Sequence, residues 1–133
     1  MKVHHIGYAV PDIAKATAEF ESLGWKVSSE TTDDLARQVR IVFLENAGQV
    51  VELVAPLSES SPVCKTLQKG SGTPYHICYE VENLDVAEAE LKKARFIPFK
   101  KSAVAPAIGG RRVSFMFAKN VGIVELVETD NLV

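Results

Sequence analysis

The chain is a near repeat of itself, and that duplication limits the folds open to it more than any other feature. The stretch His5-Ile6-Gly7-Tyr8-Ala9-Val10 returns as His76-Ile77-Cys78-Tyr79-Glu80-Val81, 71 positions later. The same offset matches Ala16, Ala18 and Glu19 with Ala87, Ala89 and Glu90, and sets Trp25 on Phe96. Further along, Val39, Phe43, Asn46 and Gly48 match Val113, Phe117, Asn120 and Gly122 at an offset of 74. The match ends at 73, where Val51-Glu52-Leu53-Val54 overlies Val124-Glu125-Leu126-Val127. Solenoid repeats run to roughly 20–50 residues, so a unit this long reads as a duplicated module. Two copies predict a two-fold arrangement with a site between them.

Each copy carries the same sequence of signals. From Val3 to Val10 the residues alternate, with Ile6, Tyr8 and Val10 on one face and His5, Gly7 and Ala9 on the other. Pro11-Asp12 then opens a helix with Asp12 as its cap; Ile13, Ala16, Phe20 and Leu23 recur at helical spacing, and Gly24 ends it. Strands are expected at Trp25 to Thr31, Val39 to Leu44 and Gln49 to Ala55, with Thr32 to Gln38 a polar surface loop. Pro56 to Pro74 is a linker that can hold a short helix around Val63 and Leu67. The second copy follows suit: a strand from Tyr75 to Val81, a helix capped by Asn83, then strands near Ile97 to Val104, Val113 to Phe117 and Ile123 to Glu128. The expectation is therefore an α+β fold, one domain over 1–133, made of two paired β-α-β-β-β modules at 1–55 and 75–128 joined by 56–74.

At 133 residues the chain can bury a core without staples. A net charge of −2 offers no electrostatic footprint for nucleic acid or an anionic membrane surface. No apolar run reaches bilayer length and none at the N-terminus reads as a signal segment. Cys64 and Cys78 are too few for a disulfide framework. A cytoplasmic protein with reduced thiols follows.

Four residues stand out against this background. Glu52 and Glu125 each interrupt an apolar strand, where a core-facing carboxylate is costly unless paired or bound to a metal. One such glutamate is best explained by an edge strand meeting water, and one strand histidine by a structural role. Here both types recur at equivalent places, so His5, Glu52, His76 and Glu125 read as the ligands of one divalent ion. Two imidazoles and two carboxylates suit Zn, Ni, Co, Mn or Fe(II), with positions open to substrate oxygens. Such an ion would stabilise negative charge on two neighbouring oxygens while a nearby base moves a proton between carbons. Glu125 or Glu52, swinging off the ion, would be that base. Arg111 and Arg112, after Gly109-Gly110, are the leading candidates among the cations for a substrate carboxylate or phosphate, ahead of Arg37, Arg40 and Lys119. His4 points away from His5 by strand alternation.

With these residues placed, the chain resembles the vicinal oxygen chelate superfamily, the group of glyoxalase I and methylmalonyl-CoA epimerase. The resemblance runs from Val3 to Glu128, carried by the His5 and His76 strands, by Val51-Glu52-Leu53-Val54-Ala55-Pro56-Leu57 and by Gly122-Ile123-Val124-Glu125-Leu126-Val127-Glu128. It implies that His5, Glu52, His76 and Glu125 are the metal ligands, that each module forms half of a cupped sheet, and that the protein is a homodimer acting on a small thiol-linked substrate. The family's epimerases carry a further glutamate before a Gly-Val pair at the third strand; Leu35-Ala36-Arg37-Gln38-Val39 has neither, leaving Asp33 and Asp34 as the nearest acids. Leu23-Gly24-Trp25 resembles the glyoxalase helix ending. The reading this implies is a glyoxalase I-type lyase that isomerises a 2-oxoaldehyde hemithioacetal through a metal-bound enediolate. The alternatives are a methylmalonyl-CoA epimerase and, since some relatives sequester antibiotics, a non-catalytic binding protein.

Overall fold

Strand-forming and helix-forming stretches alternate along the chain, and a computed structural model describes residues 1–129 of it. In chain order these are β1 (Lys2–Ala9), α1 (Ile13–Glu21), β2 (Lys26–Val27), β3 (Thr32–Asp34), β4 (Val39–Asn46), β5 (Gln49–Pro56) and α2 (Val63–Thr66). There follow β6 (Thr73–Val81), α3 (Leu84–Lys93), β7 (Ile97–Ala105), a 3₁₀ turn (Pro106–Ile108), β8 (Arg111–Ala118) and β9 (Gly122–Glu128). Contacts group residues 5–75 as one unit and residues 1–4 with the chain from residue 76 onward as a second. No helix among the described residues is long and apolar enough to cross a membrane.

In the first unit β1 runs parallel to β5, β5 pairs antiparallel with β4, and β2 and β3 both pair with β4. Helix α1 starts because Asp12 accepts a hydrogen bond from the Lys15 N–H at 2.9 Å. It stops at Gly24, whose φ of +96° suits a residue without Cβ. Its inner residues, Ile13, Ala16 and Phe20, pack on Val10, Val42, Leu44, Val51 and Leu53, with Tyr8 and Trp25 at the margin. Leu44 and Leu53 are fully buried, each contributing on the order of 1.5–3 kcal/mol of transfer free energy.

The second unit repeats this plan. Strand β6 runs parallel to β9, β9 is antiparallel to β8, and β8 to β7. Asn83 caps α3 by accepting from the Val86 N–H at 3.0 Å, and Leu84 and Ala87 bury against Met116, Val124 and Leu126, with Tyr79, Leu91 and Phe96 beside them. The helix ends at Arg95, which takes φ +72° where the first unit has Gly24.

Three expectations change. The loop expected over Thr32 to Gln38 contains β3, because Asp34 lies across from Val39 and accepts hydrogen bonds from the Arg37 backbone N–H (3.1 Å) and its guanidinium (2.7 Å). Only Lys26–Val27 of the strand expected at Trp25 to Thr31 pairs as a strand. The repeat offset at the third strand also differs. Phe43 pairs across from Glu52, and Phe115 across from Glu125, so the counterpart of Phe43 is Phe115 and the offset there is 72 rather than 74. A slip of two residues preserves which face a side chain occupies, so the alternation pattern cannot reveal the error.

Candidate metal centre

The helix-facing side of each sheet is apolar; the opposite side carries the chemistry. In the first unit that side presents His5 from β1, Glu52 from β5 and Phe43 from β4. Glu52 lies opposite Gly7, two positions beyond His5, so the parallel register brings acid and imidazole together. His5 Nε2 is 3.5 Å from Glu52 Oε1, and the Phe43 ring stands edge-on to His5 with centroids 5.3 Å apart. In the second unit Glu125 lies opposite Cys78, again two positions beyond the histidine. His76 Nε2 is 3.2 Å from Glu125 Oε1, and Phe115 stands edge-on to His76 at 5.8 Å. All four polar residues are at most 5% exposed.

These pairs fit a divalent ion. Metal–nitrogen and metal–oxygen bonds of roughly 2.0–2.2 Å place neighbouring donors about 3.0–3.5 Å apart, the spacing within each pair. A carboxylate left in such an apolar face without a compensating charge would be costly. The aromatic rings wall each imidazole, a role that strand alternation alone does not single out. The signal that finds them is the count back from each glutamate through its hairpin turn.

The other expected residues sit elsewhere. Arg111 Nη2 is 2.6 Å from Glu80 Oε2 and its Nε donates to the Glu128 carbonyl at 2.7 Å. Arg111, Lys2 and His4 together hold the Glu80 carboxyl below its ordinary range, the hydrogen bond from Arg111 being the largest cause. Arg112 meets Asp85 at 3.2 Å and Glu128 at 3.6 Å. Glu128 also accepts from the Leu84 N–H at 2.9 Å, at the start of α3. Asp33 pairs with Arg40 at 2.7 Å, and that hydrogen bond holds its carboxyl low. Asp34 is buried beneath Arg37. Both aspartates are engaged by arginines.

A model of the Glyoxalase/Bleomycin resistance protein/Dioxygenase superfamily matches residues 4–115. The chain belongs to this superfamily. Over 128 residues it is 33% identical to human mitochondrial methylmalonyl-CoA epimerase, covering 94% of this chain and 72% of that protein. It is 36% identical over 95 residues to an ethylmalonyl-CoA/methylmalonyl-CoA epimerase of Cereibacter sphaeroides, 70% of each. Among solved structures, a hypothetical protein from Bacillus halodurans C-125 has the same fold at a TM-score of 0.85 and 28% identity, covering 99% of this chain and 96% of that one. The methylmalonyl-CoA epimerase of Mycobacterium tuberculosis aligns at 0.82 with 24% identity, covering 96% and 87%.

These relatives correct the assignment to glyoxalase I-type lyases. That assignment rests on one missing glutamate between Leu35 and Val39 and on the short Leu23-Gly24-Trp25 match. The likeness of this superfamily member to the human epimerase extends over nearly its whole length. A single acid absent from a surface turn is weaker evidence, because surface turns tolerate change that strand frameworks do not.

Proposed function

We propose that this protein epimerises a methylmalonyl-CoA-type thioester, using one divalent ion held by His5, Glu52, His76 and Glu125. The 33% identity with the human epimerase, with both buried His–Glu pairs in place, is the observation that carries the reading. The ion, when bound, supplies Lewis acidity that stabilises negative charge on the thioester and carboxylate oxygens. Nickel, cobalt, zinc and manganese are the candidates its donor set suits.

The chain's own residues have four tasks. His5 and His76, walled by Phe43 and Phe115, hold their imidazoles in one orientation. The apolar strands around them exclude water. Epimerisation removes a proton from one face of the carbon between the two carbonyls and returns one to the other, so it needs two acid/base groups. Glu52 and Glu125 are the two carboxylates of the set and take those roles, Asp33 and Asp34 being committed to arginines. Arg111, on the strand face shared by His76 and Cys78, is retained as a contact for the substrate's polar groups, with Arg112 behind it on the α3 side. The protein works as a homodimer in the cytoplasm.

The test is incubation of one enantiomer of methylmalonyl-CoA in D₂O with the metal-loaded protein. The expected result is solvent deuterium at the α-carbon together with loss of optical purity. Configuration retained and no deuterium gained, with each of nickel, cobalt, zinc and manganese, would refute the reading.

A further inference from the structure

The β7–β8 ladder contains two register shifts, one between Pro98 and Lys100 and one between Lys100 and Ala103. Ile97 pairs with Phe117 and Pro98 with Met116; continued without interruption, that register would set Phe99 opposite Phe115 and Lys100 opposite Ser114. Ser114 lies across from Leu126, which packs under α3, so Lys100 would then project to the helix side. The first shift instead sets Lys100 opposite Phe115, on the face that carries His76 and Glu125. Bulges next to active sites re-aim individual side chains in this way.

The redirected ammonium has a defined place. Lys100 Nζ lies 5.2 Å from the Phe115 ring centroid and 5.7 Å from that of Phe99. Phe115 is 5.8 Å from His76, so the ammonium is within 11.0 Å (5.2 plus 5.8) of the His76 ring. Ile97, Phe99 and Phe117 beside it are exposed, giving an apolar approach to the cation. An exposed cation–π contact is worth roughly 0.5–1 kcal/mol, enough to bias where the ammonium sits.

We infer that Lys100 is a specificity residue of the His76–Glu125 half of the site, recognising an anionic group of the thioester substrate, a carboxylate of the acyl group or a phosphate of its carrier. This rests on the epimerase reading for the nature of the substrate, and on the register shifts and ring contacts for the residue.

The test compares the unmodified protein with Lys100→Met, which keeps the stem but not the charge, and with Lys100→Arg. Both are assayed on methylmalonyl-CoA and on methylmalonyl-pantetheine, which lacks the carrier phosphates. Lys100→Met is expected to raise KM for methylmalonyl-CoA about tenfold with kcat within about twofold, and Lys100→Arg to restore it. A rise with both thioesters identifies the carboxylate as the recognised group; a rise with the CoA thioester alone identifies the phosphates. Unchanged KM on both, including a case where only thermal stability falls, overturns the inference. Should the unmodified protein epimerise neither compound, the epimerase reading fails separately. Calorimetric Kd values for methylmalonyl-CoA then decide the role of Lys100, a tenfold weakening supporting it and an equal Kd refuting it.

Discussion

The two modules build their His–Glu pairs alike and surround them differently. In each, the glutamate lies across from the residue two beyond the histidine, and a phenylalanine on the next strand stands edge-on to the imidazole. Past that point they diverge. Beside Phe43 the first module has Ser29, whose hydroxyl accepts the Phe43 N–H at 2.9 Å next to the two-residue strand β2. At the corresponding place, 71 positions on, the second module has Lys100 between two register shifts and over Phe115. Below the histidine the first module has Gly7 and Ala9; the second has Cys78 and Glu80, the latter tied to Arg111. The two His–Glu pairs share one local geometry, while the side chains around them differ from module to module.

The strongest way to break this comparison is to exchange the two glutamates in turn for glutamine. Glu125→Gln and Glu52→Gln each keep an oxygen for the ion but lose the basic carboxylate, and each is expected to lower turnover by about 10²–10⁴-fold while retaining metal. Elemental analysis paired with deuterium uptake checks this. If one variant keeps full turnover, the two pairs are chemically unequal and the assignment of both glutamates as the acid/base groups fails.

A smaller effect tests the helix endings. Arg95 holds φ +72° where Gly24 holds φ +96°, and a side chain in that region costs about 1 kcal/mol. Arg95→Gly is therefore expected to stabilise the protein by about 0.5–1 kcal/mol, and Gly24→Ala to destabilise it by a similar amount, measured by denaturant unfolding. Any other pattern of signs would show that the two helix ends are not equivalent.

The smallest expected effect is on acid stability. Arg111 lowers the Glu80 carboxyl below its ordinary value of 4.5, and Ala9 occupies that place in the first module. A depressed carboxylate stabilises the fold above its unfolded pKa and loses that contribution as pH falls through its folded one. Glu80→Gln should thus remove part of the pH dependence below about 4.5, a change of a few tenths of a kcal/mol to about 1 for a partly exposed pair. An unaltered acid-unfolding profile would place the Arg111 contact outside the second module's stability.

Much of the molecule is legible in the chain itself, and the reasons are local. Alternation along Val3 to Val10 and Tyr75 to Val81 assigns His5 and His76 to the face opposite the helix, because successive strand residues point to opposite sides. Asp12 and Asn83 announce their helices through a side-chain oxygen three residues from the N–H it accepts from. The glutamates are conspicuous because an ionised group in a Val-Leu strand has to be compensated. What only the tertiary structure decides is register. By sequence Phe43 matches Phe117, because strand patterns repeat every two residues; only pairing with β5 and β9 shows that Phe115 is the equivalent ring. Asp34 reads as a loop acid until β4 lies beside it. Lys100 reads as one more surface lysine, since the shifts that turn it toward His76 arise in the pairing of β7 with β8, between residues as far apart as Ile97 and Phe117. Propensity, capping and alternation act over a few residues and are written in the chain; register is settled by hydrogen bonds between distant strands, and a one-residue shift there changes which face a side chain serves.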